Sequence, residues 1–336
     1  MLRDDMIMKK AIVHILDSRM SMPVLSDCEL DLGSDLCDFF KAHIEKFTES
    51  DEVKRCQFSG DSEVMEAVRS CGPENFVEVS KQLAGTLFAI MNENIDIPPA
   101  DIAVVVFGCE GVDYFGLLKM NYKSSYTHIT KAMEEGNSND IILQKAILPS
   151  EGQKLSEAFV VNLENGEILL TEKKYEVNGA KEYYFSERFI KCHAPMSQKA
   201  KLDIVTKAVE QVNKKYYGDD DVDRKMEIKS TIYQELEEQG NLNVETVKEK
   251  LFSENPQMQE EFQEKLEKYN MAEEVIEPKA QQTVRKFQKQ HLTTDTGIEI
   301  TIPMEQYQNA ECVEFITNED GTVSVLIKNI GKLTAK

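Results

Sequence analysis

A run of β-prone segments with no helix between them constrains the fold more than any other feature of the sequence. Five such segments occupy residues 102–107, 114–122, 141–148, 158–163 and 168–175. Asn165-Gly166 separates the last two segments and is typical of a two-residue hairpin turn. Parallel strands need long crossover connections, so this close spacing predicts one antiparallel sheet that contains all five segments.

Helical periodicity comes before this sheet. Ser34 is a plausible N-cap for a helix whose apolar residues recur to Phe47, and Pro73 opens a second helix that runs to about Asn92. Residues 8–16 are β-prone and are followed by turn residues and the short segment 24–25, which predicts an initial strand pair. Together these patterns indicate an α+β fold, an N-terminal antiparallel sheet with helices.

At 336 residues the chain exceeds what a single core usually covers, so we expect more than one compact region. Residues 1–180 are predicted to form the α+β domain, whose boundary falls near Asn178-Gly179. Residues 181–292 have a helical pattern with an acidic centre and basic flanking helices. Residues 293–336 form a small C-terminal β element with a hairpin turn at Asp320-Gly321.

The chain carries a net charge of −21, and residues 218–277 alone contain eighteen acids against seven Lys or Arg. Such a chain repels phosphate over much of its surface, which counts against an indiscriminate DNA binder. Its seven cysteines are scattered and include no CxxC pair, as expected for reduced thiols in a reducing cytoplasm. The first residues lack the apolar core of a signal peptide, and no apolar run is long enough for a membrane span. We therefore expect a soluble, intracellular protein.

Motifs that identify common enzymes are absent from the sequence: there is no phosphate loop, GxGxxG, HExxH or GxSxG. Cys192-His193 is better explained as an ordinary cysteine and histidine, because adjacent side chains rarely face each other. Asp219, Asp220, Asp221 and Asp223 could bind a hard cation, but they lack the Gly and Glu of a calcium loop, and Asp also favours helix N-caps. We predict no enzymatic activity, metal site or cofactor. A hydrolase whose site forms by spatial convergence stays an alternative.

Two basic helices are the candidate nucleic-acid-binding elements, because phosphate affinity depends on local clusters of Lys and Arg. In the helix predicted over residues 196–216, Lys199, Lys207 and Lys214 lie opposite an apolar stripe. The apolar stripe is Leu202, Val205, Val209, Val212 and Tyr216. The alternative is a solvated helix with the internal ion pairs Asp203–Lys207 and Glu210–Lys214.

The second basic helix is predicted over residues 278–291, which contain no acid. Its cations lie opposite Ala280, Val284 and Phe287. The four cations are Lys279, Arg285, Lys286 and Lys289. They could contact phosphate, or the helix could instead dock on the acidic central region.

A third basic stretch, residues 114–133, interleaves aromatic residues with lysines, as single-stranded nucleic-acid surfaces do. Its members are Lys119, Lys123, Lys131, Phe115, Tyr122 and Tyr126. Aromatic residues in strands are, however, mostly core residues.

Four segments occur in an order that resembles the NdpA-type (YejK-like) bacterial nucleoid-associated proteins: AIVHIL, SERFIKCHAPMSQKAK, TVRKFQKQHLTTDTGIEITIPMEQY and VEFITNEDGTVSVLIKNI. The resemblance implies a cytoplasmic protein that accompanies compacted DNA, with no catalytic residues. In such proteins an Arg-Lys helix precedes a glycine-led strand. Arg285, Lys286, Gly297, Ile298 and Ile300 occupy comparable positions here. The chain differs in having TTDTG where a glycine-rich run is expected.

These observations lead us to expect a nucleoid protein that binds double-stranded DNA, largely without sequence specificity, through phosphate contacts from the basic helices. A homodimer could align those helices along one duplex. The alternative is an adaptor whose acidic helices bind a basic protein, so that DNA is reached only through that partner.

Overall fold

The computed structural model describes residues 1–94, 96–134, 136–177, 179–218, 221–307, 309, 311–319 and 321–334. The chain divides into two compact units, Met1–Pro195 and Met196–Lys336. Four residues singled out in the sequence lie outside the described residues: Asn178, Asp219, Asp220 and Asp320.

The first unit is built on a seven-stranded sheet. Its elements in chain order are β1 (Met6–Leu16), α1 (Ser34–Thr48), β2 (Lys54–Phe58), α2 (Glu63–Ser70), α3 (Phe76–Glu93), β3 (Ala100–Cys109), β4 (Val112–Asn121), β5 (Lys123–Met133), β6 (Gly136–Ile147), β7 (Glu157–Asn162), β8 (Ile168–Thr171), β9 (Tyr175–Val177), β10 (Ala180–Glu182), a π-helix (Phe185–Ile190) and β11 (Cys192–His193). The sheet order is β1-β3-β4-β7-β8-β2-β11, and every neighbouring pair is antiparallel. The predicted α+β class is therefore confirmed.

Helices cover both faces of this sheet. Ile102 and Val104 of β3 belong to a core shared with α2, α3 and the π-helix. The alternate residues Ala103 and Val105 belong to a second core, which includes Phe40 of α1. Because both faces are buried, β3 is a continuous apolar run and lacks the alternation of a half-exposed strand.

Three details of the sheet differ from the sequence-based prediction. β2 was not predicted, and it pairs with both β8 and β11. The predicted partner segment contributes an isolated bridge, Val24 with Ile15, and the long partner of β1 is β3. Residues 141–148 do not join the main sheet: among the described residues, β6 pairs only with β5, in a separate hairpin.

The loop between β7 and β8 is longer than the predicted two-residue turn. The amide of Asn162 donates to the Glu167 carbonyl at 2.9 Å, so residues 163–166 form the loop. The side chain of Asn162 accepts hydrogen bonds from the amides of Glu164 and Asn165, and Gly166 has a left-handed φ of 73°. The Asn162 side chain therefore stabilises a wider turn than Asn165-Gly166 alone implies.

The second unit is a helical core followed by two β-hairpins. Its elements are α4 (Gln198–Tyr217), α5 (Val222–Gln239), β12 (Leu242–Asn243), α6 (Val244–Phe252), α7 (Pro256–Glu267), β13 (Val275–Ile276), α8 (Gln281–Gln288), β14 (Lys289–Thr293), β15 (Glu299–Pro303), α9 (Met304–Tyr307), β16 (Val313–Thr317) and β17 (Val323–Ile327). The predicted stripe of α4 is confirmed at Leu202, Val205, Val209 and Val212, which are buried in the helical core. Ser197 and Asp221 cap α4 and α5 by accepting hydrogen bonds from backbone amides.

Candidate nucleic-acid interface

The two predicted basic helices meet α5 at a groove in the second unit. This groove encloses about 680 Å³ and is lined by residues of α4 and α5 and by Lys286, Phe287 and Gln290. Its cations are Lys214, Lys225, Lys229 and Lys286. The acids among its described lining residues are Asp203 and Glu210. The described lining of the groove therefore has a local excess of positive charge in a chain whose net charge is −21.

Lys229 is the most enclosed of these cations. Burial lowers its pKa from the ordinary value of 10.5. Its Nζ donates a hydrogen bond to Oε1 of Gln290 at 3.0 Å, and no carboxylate among the described residues forms an ion pair with it. A partly desolvated ammonium group with a neutral partner is stabilised by an incoming anion. Lys229 is therefore suited to phosphate contact.

Lys225 and Lys229 were not predicted as site residues, because the net charge of residues 218–277 as a whole is strongly negative and conceals a local basic cluster. The charges of α5 are segregated: its basic residues lie in the first half of the helix. Its second half contains Glu235, Glu237 and Glu238. The spacing of four between Lys225 and Lys229 was the available signal, since it places both lysines on one helix face.

The cations predicted around α8 are divided between two surfaces. Lys286 lines the groove with α4 and α5, whereas Lys279 and Arg285 line a smaller cavity of about 290 Å³ beside Tyr233 and Glu237. Val284 and Phe287 pack towards the helical core, so the charged residues on either side of them diverge. The predicted single cationic face is thus only partly formed.

Helix α8 is also shorter than predicted, since it spans Gln281–Gln288. Lys289 begins β14, which pairs with β15 from Lys289↔Pro303 to Thr293↔Glu299. The hairpin turn is closed by the Thr294 amide, which donates to the Ile298 carbonyl at 2.9 Å. Gly297 takes a φ of 86° there, so the single glycine of TTDTG is sufficient for the turn.

Several other cations of this unit are held by acids. Lys201 contacts Glu274 at 2.6 Å, and Lys215 contacts Glu261 at 2.5 Å. By contrast, Lys207, Lys286 and Lys289 form no ion pair within the described part of the chain, and the predicted Asp203–Lys207 pair is not formed there. These two ion pairs therefore involve lysines of α4 that were not predicted as site residues. The first of the seven predicted cations, Lys199, is half-buried near the start of α4.

The third basic stretch does not form a cationic surface. Lys119 is fully buried, where its Nζ lies 3.1 Å from Oε2 of Glu157. Lys131 is exposed and lies 3.8 Å from Asp140 in the β5–β6 hairpin. Phe115 is buried in the core, in agreement with the alternative that aromatic residues of strands are core residues, whereas Tyr126 of the hairpin is exposed and does not follow it.

The Cys192-His193 pair does not have the geometry of a catalytic pair. Cys192 is buried 3.5 Å from Sγ of Cys56, whereas His193 is exposed on the same strand. The hydrogen bond with Cys56, together with burial, raises the pKa of Cys192 well above its usual value, so the thiolate is disfavoured. Over the ranges that the structure describes, no cluster of three or more His, Cys, Asp or Glu could hold a metal ion.

The fold and the groove define an α+β protein with a lysine-lined groove in an acidic chain. The chain matches the family model of nucleoid-associated protein YejK over residues 12–333, which spans both units. It therefore belongs to this family of nucleoid-associated proteins, and the resemblance seen in the sequence is confirmed. A comparison with curated proteins finds no match. None of the described helices is long and apolar enough to cross a membrane.

Proposed function

We propose that this protein binds double-stranded DNA, largely without sequence specificity, through phosphate contacts made by the groove between α4, α5 and α8. The observation that carries the proposal is the convergence of Lys214, Lys225, Lys229 and Lys286 on one groove. Phosphate neutralisation by lysines supplies most of the affinity of non-specific DNA binding. In this proposal the protein acts in the cytoplasm, at the nucleoid, by binding and without catalysis or a cofactor.

Lysines favour backbone binding over base readout. An ammonium group is a flexible point charge, whereas guanine recognition in the major groove commonly uses the rigid fork of Arg. The four groove cations are all lysines, and Arg224 of α5 is held by Glu227 at 2.5 Å and by the Tyr217 hydroxyl at 2.7 Å. Binding should consequently depend on the phosphate backbone and weakly on sequence.

The proposal is tested by titrating the purified full-length protein against a labelled duplex at several salt concentrations. The groove variant carries Lys214→Ala, Lys225→Ala, Lys229→Ala and Lys286→Ala. The matched control removes the same charge elsewhere in the unit, with Lys215→Ala, Lys248→Ala, Lys265→Ala and Lys268→Ala. A third variant, with Lys279→Ala, Arg285→Ala and Lys289→Ala, tests the predicted cations outside the groove.

Each phosphate contact contributes about 0.9 to the slope of log affinity against log salt concentration. The groove variant should therefore lower the slope by roughly three to four, while the matched control leaves it nearly unchanged. The third variant measures whether the smaller surface adds contacts. If the groove variant and the matched control lower the salt slope equally, DNA binding depends only on net charge, and the proposal that the groove binds phosphate is wrong.

A second candidate function is supported by the exposed acids of α7. Glu260, Glu264 and Glu267 are exposed on this helix and could bind a basic protein partner. Under this alternative the protein is an adaptor, and the purified chain does not shift DNA even at low salt. A DNA shift that appears only after a basic partner is added would favour the adaptor over direct binding.

A further inference from the structure

The β5–β6 hairpin is a long arm with almost no core of its own. Its strands, Lys123–Met133 and Gly136–Ile147, form a separate two-stranded sheet, and within the described parts of the chain they pair only with each other. Every residue of the two strands is exposed except Ile129 and Ile147, which are partly exposed. An isolated two-stranded hairpin is at best marginally stable in water, so an arm of this length requires a further contact.

One face of the arm is apolar over the half nearest the main sheet. Tyr126 pairs with Leu143 across the hairpin, and His128 pairs with Ile141, so these four side chains share a face. Tyr126 and Ile141 are each 72% exposed, and Leu143 is 46% exposed. Towards the tip the same face becomes polar, with Thr130 opposite Asn139. This face therefore carries a continuous exposed apolar patch in one half of the arm, while the opposite face carries the less exposed Ile142, at 36%, and Met133 near the tip, at 64%.

The charge of the arm decides between a nucleic acid and a protein as its partner. Lys123, Lys131 and Lys145 are offset by Glu134, Glu135 and Asp140 in the sequence of the arm. A neutral arm lacks the excess of cations that phosphate binding requires. In a chain of net charge −21 it is also a segment where two copies can meet without strong repulsion.

We propose that the β5–β6 arm is a self-association site, in which the Tyr126, Ile141 and Leu143 face of one copy packs against the same face of a second copy. A patch that meets itself about a two-fold axis is the commonest arrangement of homodimers. Two hairpins packed face to face provide four strands around an apolar layer. An assembly of three or more strands with a buried apolar face can be stable in water, whereas a single hairpin is marginal.

The size of the arm limits the strength of this association. Strands of this length extend roughly 36–40 Å at about 3.3 Å per residue, so one face of two strands covers about 400 Å² and its apolar half about 200 Å². Even the whole face is only about half of the roughly 800 Å² per partner of a standard stable interface. The dimer should therefore dissociate on dilution at micromolar or higher concentrations. Self-association does not depend on the proposed DNA binding and can be measured without DNA.

The test is sedimentation equilibrium of the full-length protein over a concentration series. The face variant carries Tyr126→Thr, Ile141→Thr and Leu143→Thr, since threonine keeps β propensity while removing the apolar patch. The matched control places the same number of threonines on the opposite face, with Ile129→Thr, Met133→Thr and Ile142→Thr. We expect the face variant to raise the dimer Kd by roughly 100-fold or more and the control to change it by less than about 10-fold.

A second measurement needs no variant. Hydrogen exchange at backbone amides of residues 123–147 should slow as the wild-type protein concentration rises through the dimer Kd. A wild-type protein that stays monomeric at every concentration would overturn the proposal, and so would exchange that is independent of concentration. Equal loss of the dimer in the face variant and the control would also overturn it, because the apolar face would then have no special role.

Discussion

Lys119 and Glu157 form an ion pair that is completely buried in the sheet of the first unit. Both side chains are 0% exposed, and Nζ of Lys119 lies 3.1 Å from Oε2 of Glu157. Nζ also donates a hydrogen bond to Oδ1 of Asn121 at 2.5 Å. Burial lowers the pKa of Lys119, and attraction to the Glu157 carboxylate opposes that shift. The charged lysine is consequently stabilised only while its partner is present.

Replacing Lys119 by Met keeps the length of the side chain and leaves the Glu157 carboxylate buried without a cation. Loss of one member of a buried pair costs about 3–5 kcal/mol. In a unit of this size, Met1–Pro195, about 1 kcal/mol corresponds to roughly 2–4 °C in Tm. Lys119→Met should therefore lower the Tm of the first unit by on the order of 10 °C.

Calorimetric unfolding of the wild type, Lys119→Met, Glu157→Leu and the double variant measures the coupling directly. The double variant leaves no buried charge at these two positions, so it should unfold close to the wild type or above it. Two results would refute the reasoning. One is a Tm for Lys119→Met within about 2 °C of the wild type. The other is a double variant as unstable as the sum of the single variants.

Three further predictions concern the first unit. Burial lowers the pKa of His14 to about 4, below its unfolded value. The neutral imidazole therefore contributes fully to the free energy of unfolding above about pH 6.5, and this contribution is lost as the pH falls towards 4. In denaturant titrations the free energy of unfolding should fall by about 3 kcal/mol over this range, and His14→Gln should reduce that pH dependence. A Cβ at Gly116 would lie 3.1 Å from Cγ1 of Val160, so Gly116→Ala should lower the free energy of unfolding by about 1–3 kcal/mol in the same titrations, whereas a neutral effect would show that the sheet adjusts. Mass-spectrometric thiol labelling of the native protein should modify the exposed Cys28 and spare the buried Cys192, and comparable labelling rates would contradict the burial of Cys192.

The parts of the fold that follow local rules could be predicted from the sequence. The periodicity of α4 identified its buried stripe, because one helix face packs on the core whatever lies beyond it. The close spacing of strands identified the antiparallel sheet. The destination of β6 could not be predicted, because a β-prone segment carries no information about which strand it pairs with. β2 was missed for a related reason: its five residues, KRCQF, include three polar side chains.

The candidate site was only partly predictable, because it is formed by three separate helices. The sequence identified Lys214 and Lys286 as members of two basic helices. These two helices meet at α5 because of tertiary packing, which cannot be inferred from the local spacing of residues. Conversely, Lys119 was assigned to a basic stretch because its partner Glu157 is 38 positions away in the chain. Sequence distance concealed both the acid that neutralises Lys119 and the lysines that complete the groove.

Salt concentration reconciles a net charge of −21 with a cationic groove. At physiological ionic strength charges more than about 8 Å apart are largely screened, so a phosphate in the groove is influenced mainly by the lysines that line it. At about 0.01 M salt the screening length grows to about 30 Å, and repulsion from the acidic remainder of the chain then opposes the approach of DNA. The salt titration proposed above should therefore curve, with a shallow dependence at the lowest salt and the full slope of the groove lysines near physiological salt. If log affinity stays linear in log salt concentration down to the lowest salt, the acids of this chain do not measurably repel the bound duplex.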